Sequence, residues 1–123
     1  MQVNAPIHVT VDSFQTDVID KSQTIPVVVL FWAEQVPLSV QGRALLEQLL
    51  AEYQGKFILA LSDVSIDQNL AQRLQVQGLP SIRVIHLGQI SEQIDGPADE
   101  AQLRTILDGL TESAADAIKG DLD

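Results

Sequence analysis

The chain has 123 residues, 46% of them apolar, which suits one domain with its own hydrophobic core and is too apolar for a disordered segment. It has no cysteine, so disulfides, thiolate catalysis and thiolate metal sites are excluded together. The 17 acidic residues against 7 basic ones leave a net charge of −10, a balance that repels phosphate backbones and anionic lipid, so neither nucleic acid nor a membrane is an expected partner.

The longest apolar run, Pro26 to Ala33, is far too short to cross a bilayer. Met1 to Val9 shows no basic stretch followed by an apolar one, so no secretory leader is read there and a cytoplasmic location is expected.

Ile7, Val9 and Val11 alternate with polar residues and predict a short first strand. Asp12-Ser13-Phe14-Gln15 has the form of a capping box, opening a helix that places Phe14 and Val18 on one face. Lys21 to Thr24 is a polar turn. Pro26 to Trp32 is apolar throughout and mostly β-branched or aromatic, the composition of a strand buried on both faces. Glu34 to Leu38 connects it to a long amphipathic helix with Leu38, Leu45, Leu46, Leu49, Leu50 and Tyr53 on its inner stripe, Pro37 in its first turn and Gly55 after its end.

Phe57 to Leu61 is a second apolar strand. Asp67 is placed to cap a short helix carrying Leu70, Ala71 and Leu74, closed by Gly78. Ser81 to Leu87 is a third inner strand with Ile82, Val84 and Leu87 as core residues. A turn at Leu87-Gly88-Gln89 leads to a fourth strand with Ile90, Glu92 and Ile94, and the two predict an antiparallel hairpin. After the break at Gly96-Pro97, a last helix carries Leu103, Ile106, Leu107 and Leu110. The order β-α-β-α-β-α-β-β-α predicts an α/β domain: a mixed central sheet, parallel where helices intervene, with helices on both faces.

That order, together with particular residues, resembles thioredoxin over residues 5 to about 110. Phe31-Trp32-Ala33-Glu34 is similar to the segment leading into the thioredoxin active site, Asp67-Gln68-Asn69 to the cap of its third helix, and Gly78-Leu79-Pro80-Ser81 to the segment bearing its cis-proline. Gly88 and Gly96 fall where the family has its hairpin and groove glycines. The resemblance implies a cis Leu79–Pro80 bond and a peptide groove beside it. It also exposes what is missing. The family's Cys-x-x-Cys falls on Val36 and Ser39, its buried proton-transfer acid on Leu30, and the lysine near that acid on Asp63. Losing the acid along with both thiols implies long release from redox duty.

Within this group, Phe57-Ile58-Leu59-Ala60 and the stretch from Gly88 to Pro97 fit without a gap the N-terminal domain of the chaperedoxins, which the chain most resembles: cytosolic co-chaperones that join a thioredoxin-like domain to tetratricopeptide repeats. Residues 1–110 would form that domain. Residues 111–123 would form a C-terminal helix with an apolar face of Ala114, Ala115 and Ile118 and a stop at Gly120-Asp121, the start of a truncated repeat region. The implied function is to hold unfolded or partner polypeptides, without catalysis, in a groove made by Trp32, Gln35, Val36, Pro37, Leu79, Pro80 and Gly96. A hydrogenase-assembly type of thioredoxin-like chaperone and a glutathione-using enzyme of the same fold are the alternatives. The second is disfavoured by the acidic balance and by the lack of any nearby cation but Arg83.

No catalytic residue, metal or cofactor is expected. Ser39 lacks an adjacent base, since His8 and His86 fall on sheet strands, so it reads as a first-turn helix residue. The two histidines have no ligand partner at i, i+4 and read as surface residues. Asp12, Asp63 and Asp67 are explained by caps and strand ends. A thiol-free chain cannot turn over disulfides, so insulin reduction with dithiothreitol should proceed at the rate without protein; acceleration of the kind a thioredoxin gives would overturn the redox-inactive reading.

Overall fold

The structure is a computed structural model that describes residues 5–122, with side chains from 5 to 111. Five strands form one mixed sheet in the order β1-β3-β2-β4-β5. They are β1 (Ile7–His8), β2 (Val27–Trp32), β3 (Ile58–Asp63), β4 (Ser81–His86) and β5 (Gln89–Asp95). β2 lies at the centre, parallel to β3 and antiparallel to β4. The α-helices among the described residues are α1 (Pro37–Glu52), α2 (Asn69–Arg73) and α3 (Glu100–Leu122).

The pleat of β2 divides the core in two. Val28 and Leu30 point to the face covered by α1 and α3, where they meet Leu46, Leu49, Leu50, Leu103 and Leu107. Val27, Val29 and Phe31 point to the opposite face, where Phe14, Val18, Leu70 and Ala71 cover them. An all-apolar strand is therefore buried on both sides, and burial of each side chain contributes about 1.5–3 kcal/mol.

α1 and α3 are stapled where the end of α1 meets the first turns of α3. The Tyr53 hydroxyl donates to Asp108 Oδ1 at 2.7 Å, and Arg104 bridges Glu52 at 2.8 Å and Glu100 at 2.7 Å. Burial, and then the hydrogen bond to Asp108, push the Tyr53 phenol up to about 12.

Several sequence expectations are corrected. The segment after β1 is a π-helix, Gln15–Asp20, continued by a 3-10 turn, Lys21–Gln23. No capping box forms: Ser13 Oγ accepts from the Thr10 N–H at 3.0 Å, and Gln15 reaches forward to Asp20 instead of back. Leu38, expected in the core, is 51% exposed, because in the first turn of α1 it is Ser39 that is turned inward and fully buried.

Leu87, also expected in the core, is 58% exposed, because β4 stops at His86 and Leu87 turns the hairpin with φ 55°. A bulge at Ser91, between the pairs Ile85–Ile90 and Val84–Glu92, breaks the alternation of β5, so Ile94 is buried while Ile90 stays exposed. Gln75, not Gly78, takes the left-handed position after α2, with φ 60°.

Asp67 does serve α2, although Gln68 precedes the helix: its Oδ1 accepts from the Asn69 N–H at 2.9 Å. α3 runs past Gly120 to Leu122 without the expected stop. The Ala114, Ala115 and Ile118 side chains lie outside the described residues. Among the described residues no helix is long and apolar enough to cross a membrane.

The polar turn at Lys21–Thr24 contains an unexpected tie. Ser22 is fully buried; its hydroxyl donates to the Ile19 carbonyl at 2.7 Å and accepts from the Gly88 N–H at 2.9 Å, while its carbonyl accepts from the Leu87 N–H at 2.8 Å. The first helical segment is thus bolted to the β4–β5 turn. Ser22→Ala should lower stability by about 1–3 kcal/mol, read as a reduced urea midpoint, because it strands a buried donor. Thr24→Ala, at an exposed site, should change it little.

Candidate functional site

The sheet topology brings four connections to one end. Trp32 at the end of β2 pairs with Asp63 at the end of β3, Phe31 pairs with Ser81 at the start of β4, and Ser81 pairs with Asp95 at the end of β5. The segments 33–36, 64–68, 78–80 and 96–99 therefore cluster there. All seven groove residues expected from the sequence lie at this end.

The loop after β2 is held by one side chain. Ser39 is fully buried in the first turn of α1, and its hydroxyl accepts from the Ala33 N–H at 3.1 Å. The same oxygen lies 2.8 Å from the Ala33 carbonyl and 2.7 Å from the Val36 carbonyl, donating its single proton to either. Val36 is the N-cap with no side chain able to cap, and Pro37 follows where no N–H is needed. Gln35 and Pro37 are exposed and Val36 is half-buried. Ser39 thus works as a loop anchor and has no base beside it.

Trp32 packs against the core cluster around Leu30, with Arg43 over its ring at 4.6 Å and its indole Nε1 buried without a hydrogen-bond partner among the described residues. Asp63, at the position of the expected lysine, accepts from the Ser65 N–H at 3.0 Å and from the Ser65 hydroxyl at 2.6 Å, which tightens its own loop. Among the described residues no group of His, Cys, Asp and Glu could hold a metal. His8 and His86 lie on β1 and β4.

Leu79–Pro80 is a cis peptide. Pro80 is buried, and its carbonyl accepts from the Gly96 N–H at 2.8 Å. Gly96 has φ 99°, a conformation that disfavours any side chain, so its role is to hold Pro80 from β5. Neither main-chain polar group of Leu79 has a hydrogen-bond partner among the described residues.

Pro80 separates two recesses. On one side is a cavity of about 250 Å³ whose walls include Leu38, Gly42, Leu45, Pro97 and Ala98, with Leu30 beneath. On the other lies a wider, polar recess that includes Leu79, Gly96, Gln75 and Arg83. Arg83 is fully buried and committed: it pairs with Asp95 at 3.0 Å and donates to the carbonyls of Leu74, Gln75 and Ile82.

The expected set is therefore split. Trp32, Gln35, Val36 and Pro37 form the loop; Leu79, Pro80 and Gly96 form a ridge between the two recesses. The apolar cavity, with Leu38, Gly42, Leu45 and Pro97 in its walls, was missed. Gly42 carried the signal, since a glycine inside a helix is unfavourable and calls for a reason. Ile66, 82% exposed after β3, was missed as well.

Residues 5–109 match the family described as thioredoxin. A thioredoxin of Mycolicibacterium smegmatis is 34% identical, over 87% of this chain and 96% of its own length. A thioredoxin of Acidithiobacillus ferridurans is 30% identical, over 85% of this chain and 95% of its own. An uncharacterized protein of Mycobacterium tuberculosis is 31% identical over 91% of this chain, which spans only 37% of that relative's length. Ser39→Ala should cost about 1–3 kcal/mol, because the buried Ala33 N–H loses its acceptor; thermal melts of the variant measure it, and an unchanged midpoint would show the loop to be held some other way.

Proposed function

The chain belongs to the thioredoxin family, and because it has no cysteine with which to perform that family's chemistry, we propose that it is a redox-inactive protein-binding domain and not an enzyme. The observation that carries this reading is the pairing of a lost reaction centre with an intact platform. Val36, Ser39 and Leu30 stand at the positions of the two thiols and the acid, yet the ridge of Leu79, cis-Pro80 and Gly96 is complete. The open N–H and C=O of Leu79 can pair with an extended chain laid beside them. Exposed Leu38, Ile66, Pro37 and Pro97 at the same end supply apolar contact.

The polypeptides held would be unfolded or partner chains, as in a cytosolic chaperone or co-chaperone of the chaperedoxin kind. That the chain spans 37% of the mycobacterial relative's length supports a place for such a domain inside a longer protein. The glutathione alternative gains no support, because Arg83, the cation expected to serve it, is spent on Asp95 and three carbonyls.

A chemically unfolded test protein diluted into buffer should aggregate more slowly with this chain present. Val36→Asp should weaken that protection without lowering the melting temperature, because aspartate is favoured at the N-cap that Val36 occupies. Aggregation unaffected by the wild-type chain would refute the reading, and retention on a glutathione resin would favour the enzyme.

A further inference from the structure

Gly42 is the one residue without a side chain in the wall of the cavity beside Pro80. The residue lies inside α1 with ordinary helical backbone, where glycine is less favourable than alanine. Crowding does not demand it either. A Cβ there would stand 3.8 Å from Pro80 Cβ and 4.0 Å from Leu30 Cδ1, both ordinary van der Waals contacts. A side chain would fit there, and a long one would take up space in the cavity. The cavity holds about 250 Å³, more than the ~150 Å³ apolar cavity that admits a benzene ring. Leu30 gives it an apolar floor.

The surroundings are acidic. Glu34, Asp63, Asp67 and Asp99 lie in or beside the four connections at this end, and no lysine or arginine occurs in residues 33–38, 64–68, 75–80 or 96–99. Arg43 stacks on Trp32 and pairs with Glu47 at 3.4 Å, and Arg83 is buried against Asp95, which leaves Arg73 of α2 as an exposed cation between two of these segments. A basic segment would still meet a net negative charge, four carboxylates against that one arginine.

We propose that the Gly42 cavity is a pocket for one aliphatic or aromatic side chain of an extended basic polypeptide that lies along Leu79 and Pro80. This rests on the protein-binding reading above and specifies its ligand: one apolar anchor flanked by lysine or arginine. The anchor supplies affinity by burial, and the flanking cations supply attraction that weakens as salt rises.

The test uses fluorescein-labelled nine-residue peptides of alternating lysine and serine with a central leucine, read by anisotropy. Replacing the central leucine with serine should reduce affinity at least about tenfold, and replacing the lysines with glutamates should abolish binding. Gly42→Leu should block the leucine peptide to the same degree. Gly42→Ala should narrow the pocket and weaken binding while raising the melting temperature by roughly 2–4 °C, which keeps the result independent of any folding defect in the larger variant. Equal binding of the leucine and serine peptides, or unchanged binding by both Gly42 variants, overturns the pocket. If no peptide binds but the unfolded test protein is still protected, the pocket fails and the broader reading stands. If neither is bound, both fall.

Discussion

Burial of β2 on both faces is the constraint from which the rest follows. Val27 to Phe31 are each at most 1% exposed, so the strand needs a neighbour on each side and a layer above and below. Parallel pairing with β3 and antiparallel pairing with β4 bring the end of one, the start of the other and the exit of β2 itself to a single edge. The site is a product of strand direction before it is a product of any side chain. Leu30 shows the coupling most directly: it is a core residue of this strand and also the floor of the cavity beside Pro80.

On that frame, the loop and the ridge are secured independently. Ser39 fixes residues 33–36 by accepting one N–H and donating its proton to one or the other of two carbonyls, and Gly96 fixes Pro80 through its N–H. Neither device involves a thiol. A thioredoxin-family domain can therefore lose its reaction centre and keep the geometry around it, because what shaped the groove was hydrogen bonding and burial and not the disulfide.

The sequence made the fold legible where a pattern was long and one-sided. The apolar run at Val27–Trp32 and the leucine spacing from Leu45 to Tyr53 left little room for another answer. It was opaque where a single geometric event decides. The bulge at Ser91 turns Ile90 outward without altering the alternation that announced the strand, and Leu87 reads as a core residue until the hairpin is seen to turn on it. Leu38 fits the stripe of α1 by spacing, but in the first turn Ser39 and not Leu38 is turned inward. Of the site, the ridge and the loop were readable because they follow the family's order. The cavity was not, since its walls come from α1, β4 and the start of α3, and a cavity made by three distant segments has no local signature.

The apolar floor at Leu30 also has a thermal consequence. Moving an apolar group from water into such a recess lowers the heat capacity. A holding site built on Leu30 would thus bind its anchor with a heat release that grows on warming, and with no electron transfer or nucleotide needed to reset it.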